Sequence, residues 1–147
     1  MKPSQWWKRS LLAIYHKGSI LPANGVSTLI SLAQDKKYDF FLITARYREY
    51  EKDLDNWLDK YKLKPVFSEI KTNIHNEQPH LFKEKLINEL ALDYFIEDNL
   101  DIAQYLAERS KAKILWIKNI FDEHVNFGEK YAYLKEALEK IVDENSH

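Results

Sequence analysis

The chain has 147 residues, no cysteine and a formal net charge of −1, with 22 basic and 23 acidic residues. This length predicts one domain over residues 1–147, and the lack of cysteine excludes disulfides, thiolate metal sites and thiol nucleophiles. The balanced charge creates no global field that would favour nucleic acid or an anionic membrane. The sequence shows neither a signal peptide nor a transmembrane span, so we expect a soluble, cytoplasmic protein.

Residues 3–19 allow two interpretations. As a helix, the segment has Ser4 as N-cap, apolar residues along one face and Gly18 as its C-terminal stop. As a strand, the apolar run 11–15 ends near that glycine. Length, capping and periodicity agree on the helix, so the local pattern favours it.

From residue 25 onward the chain alternates amphipathic stretches with short apolar runs. Apolar residues at helical spacing predict helices at 25–38, 48–61, 81–91, 99–110 and 127–142. Continuous apolar runs predict buried strands at 40–45, 65–70, 93–98 and 113–117. The polar stretch 71–80 predicts a loop. This alternation predicts an α/β fold with a mostly parallel sheet in a Rossmann-like, three-layer α/β/α arrangement.

Polar and charged residues follow the predicted strands at the edge where such sheets bind ligands. The hydroxyl of Thr44, at the end of one strand, suits a phosphate oxygen. Lys83, at the start of a helix, adds positive charge where phosphoryl charge accumulates. Glu97 and Asp98 follow the next strand, and paired carboxylates suit Mg²⁺. Together they predict the accessory parts of a phosphoryl-transfer site.

These segments resemble the haloacid dehalogenase (HAD) superfamily, most closely its small 5′-nucleotidase-like phosphatases. The resemblance lies in FFLITAR, in YFIEDNLD and in Lys83, fourteen residues before Glu97, and it covers residues 22 to about 120. It implies that Thr44 binds phosphate as the hydroxyl of the second motif, with Ala45 and Arg46 also contacting substrate.

The resemblance also implies roles for the third and fourth motifs. Lys83 matches the lysine of the third motif and is implied to be catalytic with Thr44, while Lys85 is the fallback. Glu97 and Asp98 match the acids of the fourth motif and are implied Mg²⁺ ligands, with Asp101 as an outer-shell acid.

The first motif of the family is absent. There an apolar strand ends in Asp-x-Asp-Gly-Thr, and the first Asp attacks phosphorus; here no Asp precedes Asp35. In the strand interpretation, Tyr15 and Lys17 replace both acids in a degenerate first strand, and Lys17 replaces the charge of the cation. In the helix interpretation, residues 1–24 are the remnant of a helical cap, and the strand with the nucleophile is missing.

Two functions therefore follow from the sequence. The resemblance implies a phosphatase or nucleotidase that uses Mg²⁺ and a phosphorylated small molecule such as a nucleotide, while the absent acids imply a pseudoenzyme with little or no turnover. The alternative is a non-catalytic HAD-like module that binds a phosphorylated ligand or a protein. His75 and His80 do not predict a zinc site, because the chain has no cysteine and no other histidine lies near them. The final helix predicts core packing, with a homodimer interface as the lesser alternative.

Overall fold

A computed structural model describes residues 8–12, 25–35, 37–47 and 51–146, in which strands and helices alternate along the chain. The strands are β1 (Lys8–Leu12), β2 (Tyr38–Tyr47), β3 (Glu69–Asn73), β4 (Tyr94–Glu97), β5 (Lys113–Ile117) and β6 (Lys130–Tyr131). The helices are α1 (Val26–Gln34), α2 (Glu51–Lys60), α3 (Pro79–Leu90), α4 (Leu100–Arg109) and α5 (Leu134–Glu144). Within the described ranges, no helix is long and apolar enough to cross a membrane.

The strands form one parallel sheet in the order β3-β2-β1-β4-β5-β6. β1 lies in its centre, where Leu12 pairs with Leu42 of β2 and with Ile96 of β4. The predicted Rossmann-like fold with a mostly parallel sheet is confirmed. Because every strand runs in the same direction, the carboxyl ends of all six meet at one edge.

Each face of the sheet carries its own apolar core, since successive side chains of a strand point to opposite faces. Phe40 and Leu42 of β2 pack with residues of α1, α2 and α5. Phe41 and Ile43 of the same strand pack with residues of α3 and α4. The result is three layers, with α3 and α4 on the face from which Lys83 reaches the sheet.

The helical interpretation of residues 3–19 is wrong over Lys8–Leu12, which form the central strand. Helical capping and periodicity are local preferences. Without β1, however, β2 and β4 would each leave a row of backbone groups unpaired in the middle of the sheet. Backbone pairing within the sheet therefore outweighs the local helical pattern. The strand also begins at Lys8, earlier than the apolar run 11–15, and the remaining calls for 13–19 lie outside the described residues.

Several boundaries differ from the predictions, most clearly at β3 and at the final helix. β3 lies at Glu69–Asn73 rather than 65–70, because Pro65 falls within a 3₁₀ turn, Lys64–Val66, where its missing N–H is tolerated. The predicted loop 71–80 therefore gives its first residues to β3 and its last two to α3. The final helix starts at Leu134 rather than at 127, because Lys130–Tyr131 pair with β5 as an edge strand.

Candidate functional site

Lys83 and Glu97 form a buried ion pair at the carboxyl edge. The inward face of α3 consists of Phe82, Lys83, Leu86 and Ile87, so the lysine lies within an otherwise apolar surface. Its Nζ lies 2.6 Å from Oε2 of Glu97, and the two side chains are 9% and 0% exposed. A buried ammonium without a partner would be strongly unfavourable, so this pairing explains how α3 tolerates a lysine there.

The second carboxylate oxygen of Glu97 is also engaged. Oε1 accepts hydrogen bonds from the backbone N–H groups of Asp98, at 3.0 Å, and Asn99, at 3.1 Å. Asn99 is the N-cap of α4, and its side chain accepts from the N–H of Ile102 at 3.1 Å. The turn from β4 into α4 is therefore organised around the Glu97 carboxylate.

Asp98 lies next to this buried charge and is itself half-buried. Burial is the main cause that raises its pKa to about 8, followed by the negative charge of Glu97 and a hydrogen bond with that side chain. The Lys83 ammonium opposes the rise but does not cancel it. Asp98 therefore keeps its proton to a higher pH than an ordinary aspartate, and in the protonated form it can donate a hydrogen bond.

The described side chains at this edge do not fit a Mg²⁺ ion. No group of three or more His, Asp or Glu side chains in the described part of the chain is placed to hold a metal. Both oxygens of Glu97 are occupied by the bonds above, and Asp101 is exposed on the first turn of α4. Asp98 is the one remaining carboxylate at the end of β4, whereas Mg²⁺ requires a full set of oxygen ligands. The roles of Glu97, Asp98 and Asp101 as metal ligands stay predictions.

Thr44 lies at the same edge, two strands away from Glu97, which corresponds to about 10 Å across the sheet. Its side chain is buried, and it pairs with Thr72 of β3. The register between β2 and β3 then shifts, because the next pair is Tyr47 with Asn73. The role of Thr44 in phosphate binding and catalysis stays a prediction.

Ala45 and Arg46 lie in β2 at the point where its register with β3 shifts. The carbonyl oxygen of Ala45 accepts a hydrogen bond from Nδ2 of Asn73 at 3.0 Å, so a side chain holds the end of β2. The side chain of Arg46 lies outside the described residues, as do Tyr15 and Lys17. The predicted substrate contacts of Ala45 and Arg46 therefore stay predictions.

Asn73 is a buried residue that the sequence analysis assigned to a loop. Besides Ala45, its Nδ2 donates to the carbonyl of Glu77 at 2.8 Å, and its Oδ1 accepts from the N–H of Glu77 at 2.8 Å. These bonds close the turn that follows β3. A signal for this role was present, because asparagine often organises a turn by hydrogen bonds from its side chain to nearby backbone groups.

Lys85, the fallback for the third motif, points away from Glu97. Its Nζ lies 2.8 Å from Oε2 of Glu77, and both side chains of this pair are substantially exposed. The structure thus brings Lys83, and not Lys85, to the acids at the end of β4. His80 packs edge-on against Tyr105 with the ring centroids 4.7 Å apart, and His75 is exposed.

Comparisons with known proteins identify the fold without identifying a family. No family model matches the chain, and no curated protein matches it. Among solved structures, the core domain of a putative phosphoglycolate phosphatase from Streptococcus pneumoniae TIGR4 is similar, with 14% identity and a TM-score of 0.55. The similarity covers 85% of this chain and 86% of that domain.

Other similar structures carry different names. A chain of the Pnkp1/Rnl/Hen1 RNA repair complex has 11% identity and a TM-score of 0.61, with 80% of this chain and 44% of that chain covered. This chain thus spans less than half the length of that protein. A universal stress protein family member from Burkholderia pseudomallei has 12% identity and a TM-score of 0.53, with 79% of this chain and 98% of that one covered. At such identities the likenesses show the fold alone, a Rossmann-like scaffold that occurs in phosphate-related proteins.

Proposed function

We propose that this chain is a HAD-type phosphohydrolase scaffold that binds a phosphorylated ligand at the carboxyl edge of its sheet and does not hydrolyse it by itself. The observation that carries the proposal is the position of β1. This strand lies in the centre of the sheet, between β2 and β4, and residues 1–34 contain no Asp or Glu. The sequence after the central strand therefore offers no carboxylate to attack phosphorus.

The remaining parts of the site support phosphate binding. The Lys83 ammonium lies at the edge, where it can donate a charge-assisted hydrogen bond to a phosphate oxygen. Glu97, 2.6 Å away, fixes the position of the ammonium. Thr44, at the end of β2, retains a hydroxyl group beside the central strand. The similarity to a putative phosphoglycolate phosphatase agrees with this chemistry. A nucleotide is the ligand class that we expect, as the family resemblance implies.

The proposal is tested by measuring turnover and binding on the same preparation. Hydrolysis of p-nitrophenyl phosphate in the presence of Mg²⁺ should stay at the level of a buffer blank. Titration with inorganic phosphate, followed by chemical shifts of backbone amides, should move the signals of residues at the ends of β2 and β4. Robust turnover that Asp98→Asn abolishes would overturn the non-hydrolytic part, and the absence of any phosphate-dependent shift would overturn the binding part.

A further inference from the structure

The carboxylate of Glu97 is fully committed before any ligand arrives. Oε2 holds Lys83, Oε1 holds the N–H groups of Asp98 and Asn99, and the side chain is 0% exposed. A metal ion that used Glu97 would have to displace these partners from a position that water does not reach. Buried donors left without an acceptor are unfavourable, so the competition favours the existing bonds.

Other carboxylates near the strand ends are engaged elsewhere. Glu77 binds Lys85, Asp122 accepts a hydrogen bond from Nδ2 of Asn119 at 2.7 Å, and Glu123 pairs with Lys118. The first 34 residues contain no acid that could complete the site from the side of β1. Mg²⁺ is normally held by one or two carboxylates, with water and substrate phosphates completing a nearly ideal octahedron, so Asp98 would have to be its main protein ligand here, beside the buried Lys83 ammonium.

The charges at the edge also favour an anion over a divalent cation. The Lys83 ammonium, 2.6 Å from Glu97, would repel a second cation placed between Glu97 and Asp98. A phosphate oxygen approaching the same ammonium would instead gain a charge-assisted hydrogen bond.

From these contacts we infer that the carboxyl edge recognises the phosphate group without a divalent cation, with the Lys83 ammonium supplying the positive charge at the end of β4. This inference rests on the proposed function, because it concerns how the same site holds its phosphate. It gives Glu97 the role of a positioning residue for Lys83. The ligand class is a phosphate monoester or inorganic phosphate that binds in its metal-free form.

The decisive experiment is isothermal titration of the full chain with inorganic phosphate, once in EDTA and once in excess Mg²⁺. By linkage, a cation that does not bind the site leaves the phosphate affinity unchanged, so the two dissociation constants should agree within about twofold. Mn²⁺, which shares the oxygen-ligand preference of Mg²⁺, should not selectively broaden the amide signals of Asp98 and Asn99 in an NMR titration. Phosphate binding that requires Mg²⁺, or selective broadening at Asp98, would overturn the inference while leaving the proposed function intact.

Variants on α3 test the part assigned to Lys83. Lys83→Met should weaken phosphate binding at least tenfold, whereas Lys85→Met, two residues away on the exposed surface, should leave it unchanged. If Lys83→Met does not fold, Lys83→Met combined with Glu97→Gln removes both buried charges, keeps an acceptor for the N–H groups of Asp98 and Asn99, and supplies the same comparison. Equal affinity in either folded variant and in the native chain would overturn the role of Lys83. Absence of phosphate binding by the native chain in both titrations would instead overturn the proposed function itself.

Discussion

The ammonium of Lys83 lies 2.6 Å from the carboxylate of Glu97, and this contact joins α3 to the end of β4 through side chains that are 9% and 0% exposed. Nζ also lies 6.0 Å from the centre of the Phe95 ring. Removal of one partner leaves the other charge buried and uncompensated, which is far more costly than loss of a surface pair. The pair thus links the stability of the fold to the chemistry of its carboxyl edge.

Lys83→Met should therefore destabilise the chain by about 3–5 kcal/mol, measured by urea denaturation. Lys85→Met is the matched control, because its partner Glu77 is exposed, and it should cost less than about 0.5 kcal/mol. A double-mutant cycle with Glu97→Gln should recover most of the loss, because no charge then remains buried and the amide oxygen still accepts from the N–H groups of Asp98 and Asn99. Equal costs for the two single lysine variants would show that the buried pair contributes no more than a surface one.

The raised pKa of Asp98 predicts that stability falls as pH rises. The unfolded carboxyl titrates near 3.8 and the folded one near 8, so between these values the folded state keeps a proton that the unfolded state has released. Stability should therefore decline from about pH 4 to about pH 8 and then level off. Asp98→Asn cannot lose this proton, so its stability relative to the native chain should grow across that window, by on the order of a few kcal/mol.

The measurement is a series of thermal unfolding curves of the native chain, Asp98→Asn and Asp101→Asn between pH 5 and pH 9. Asp101 is exposed on the first turn of α4, so its substitution should leave the slope of the native chain unchanged. A constant difference between Asp98→Asn and the native chain at every pH would mean that Asp98 ionises normally in the folded state.

The shared edge of Lys83 and Glu97 and the strands around them were predictable from the sequence for different reasons, whereas the ion pair itself was not predicted. The bounds of β5 were predicted correctly as 113–117, because polar residues flank this short apolar run and mark where the strand begins and ends. Lys83 and Glu97 were expected at one site because each helix of a parallel α/β sheet begins at the edge where the strands end. Lys83 lies near the start of such a helix, and Glu97 lies at the end of the next strand. The burial of both side chains was not predictable, since each reads locally as a solvated residue.

β1 was not recovered from its own residues, because what decides its structure lies elsewhere in the chain. The strand begins with three polar residues, Lys8, Arg9 and Ser10, which do not form an apolar run. Their strand conformation follows from backbone pairing with β2 and β4. The raised pKa of Asp98 could not be predicted from the sequence either, since it depends on burial and on the position of Glu97. The sequence shows which groups are present, whereas tertiary packing decides their charge state.

Asn73 should be important for the turn after β3. Its side chain makes three hydrogen bonds to the backbone of Ala45 and Glu77, and it is fully buried. Asn73→Ala should cost roughly 2–3 kcal/mol, because buried backbone groups lose their partners. Hydrogen exchange of the Glu77 amide should accelerate strongly in this variant. In Asn73→Asp, which keeps an acceptor for that amide, the protection of Glu77 should largely persist; loss in both variants alike would show that the donor groups alone hold the turn.

Gly25 at the start of α1 lies too close to α5 to carry a side chain. Its φ is +140°, and a Cβ atom would lie 2.8 Å from Cβ and Cγ of Leu134, which is itself buried. Gly25→Ala combines backbone strain with overpacking and should cost about 2 kcal/mol or more in denaturant unfolding. Gly128→Ala is the control, since no atom lies within 4 Å of its added Cβ, and it should be nearly neutral. Equal effects at the two glycines would contradict the close approach of α1 and α5.

Glu144 anchors the end of α5 to the sheet. Its Oε1 lies 2.5 Å from Nζ of Lys113 in β5, and its Oε2 accepts from the hydroxyl of Tyr94 in β4 at 3.1 Å. The hydrogen bond from Lys113 is the main cause that lowers the pKa of Glu144 below its ordinary value of 4.5. The pair therefore stabilises the fold above that value, and this contribution is lost as the pH falls through the lowered folded value.

Glu144→Gln should accordingly cost about 1 kcal/mol at pH 7 and almost nothing near pH 3, measured by urea denaturation at both pH values. Glu139→Gln on the same helix is the control, because its contact with Lys135 is exposed and long, at 3.9 Å, and it should show little change at either pH. Because α5 covers one face of the sheet through Leu138 and Ile141, loss of this anchor should also accelerate amide exchange in its last turn. A cost of Glu144→Gln that is the same at pH 3 and pH 7 would show that shape, and not charge, holds the helix to β4 and β5.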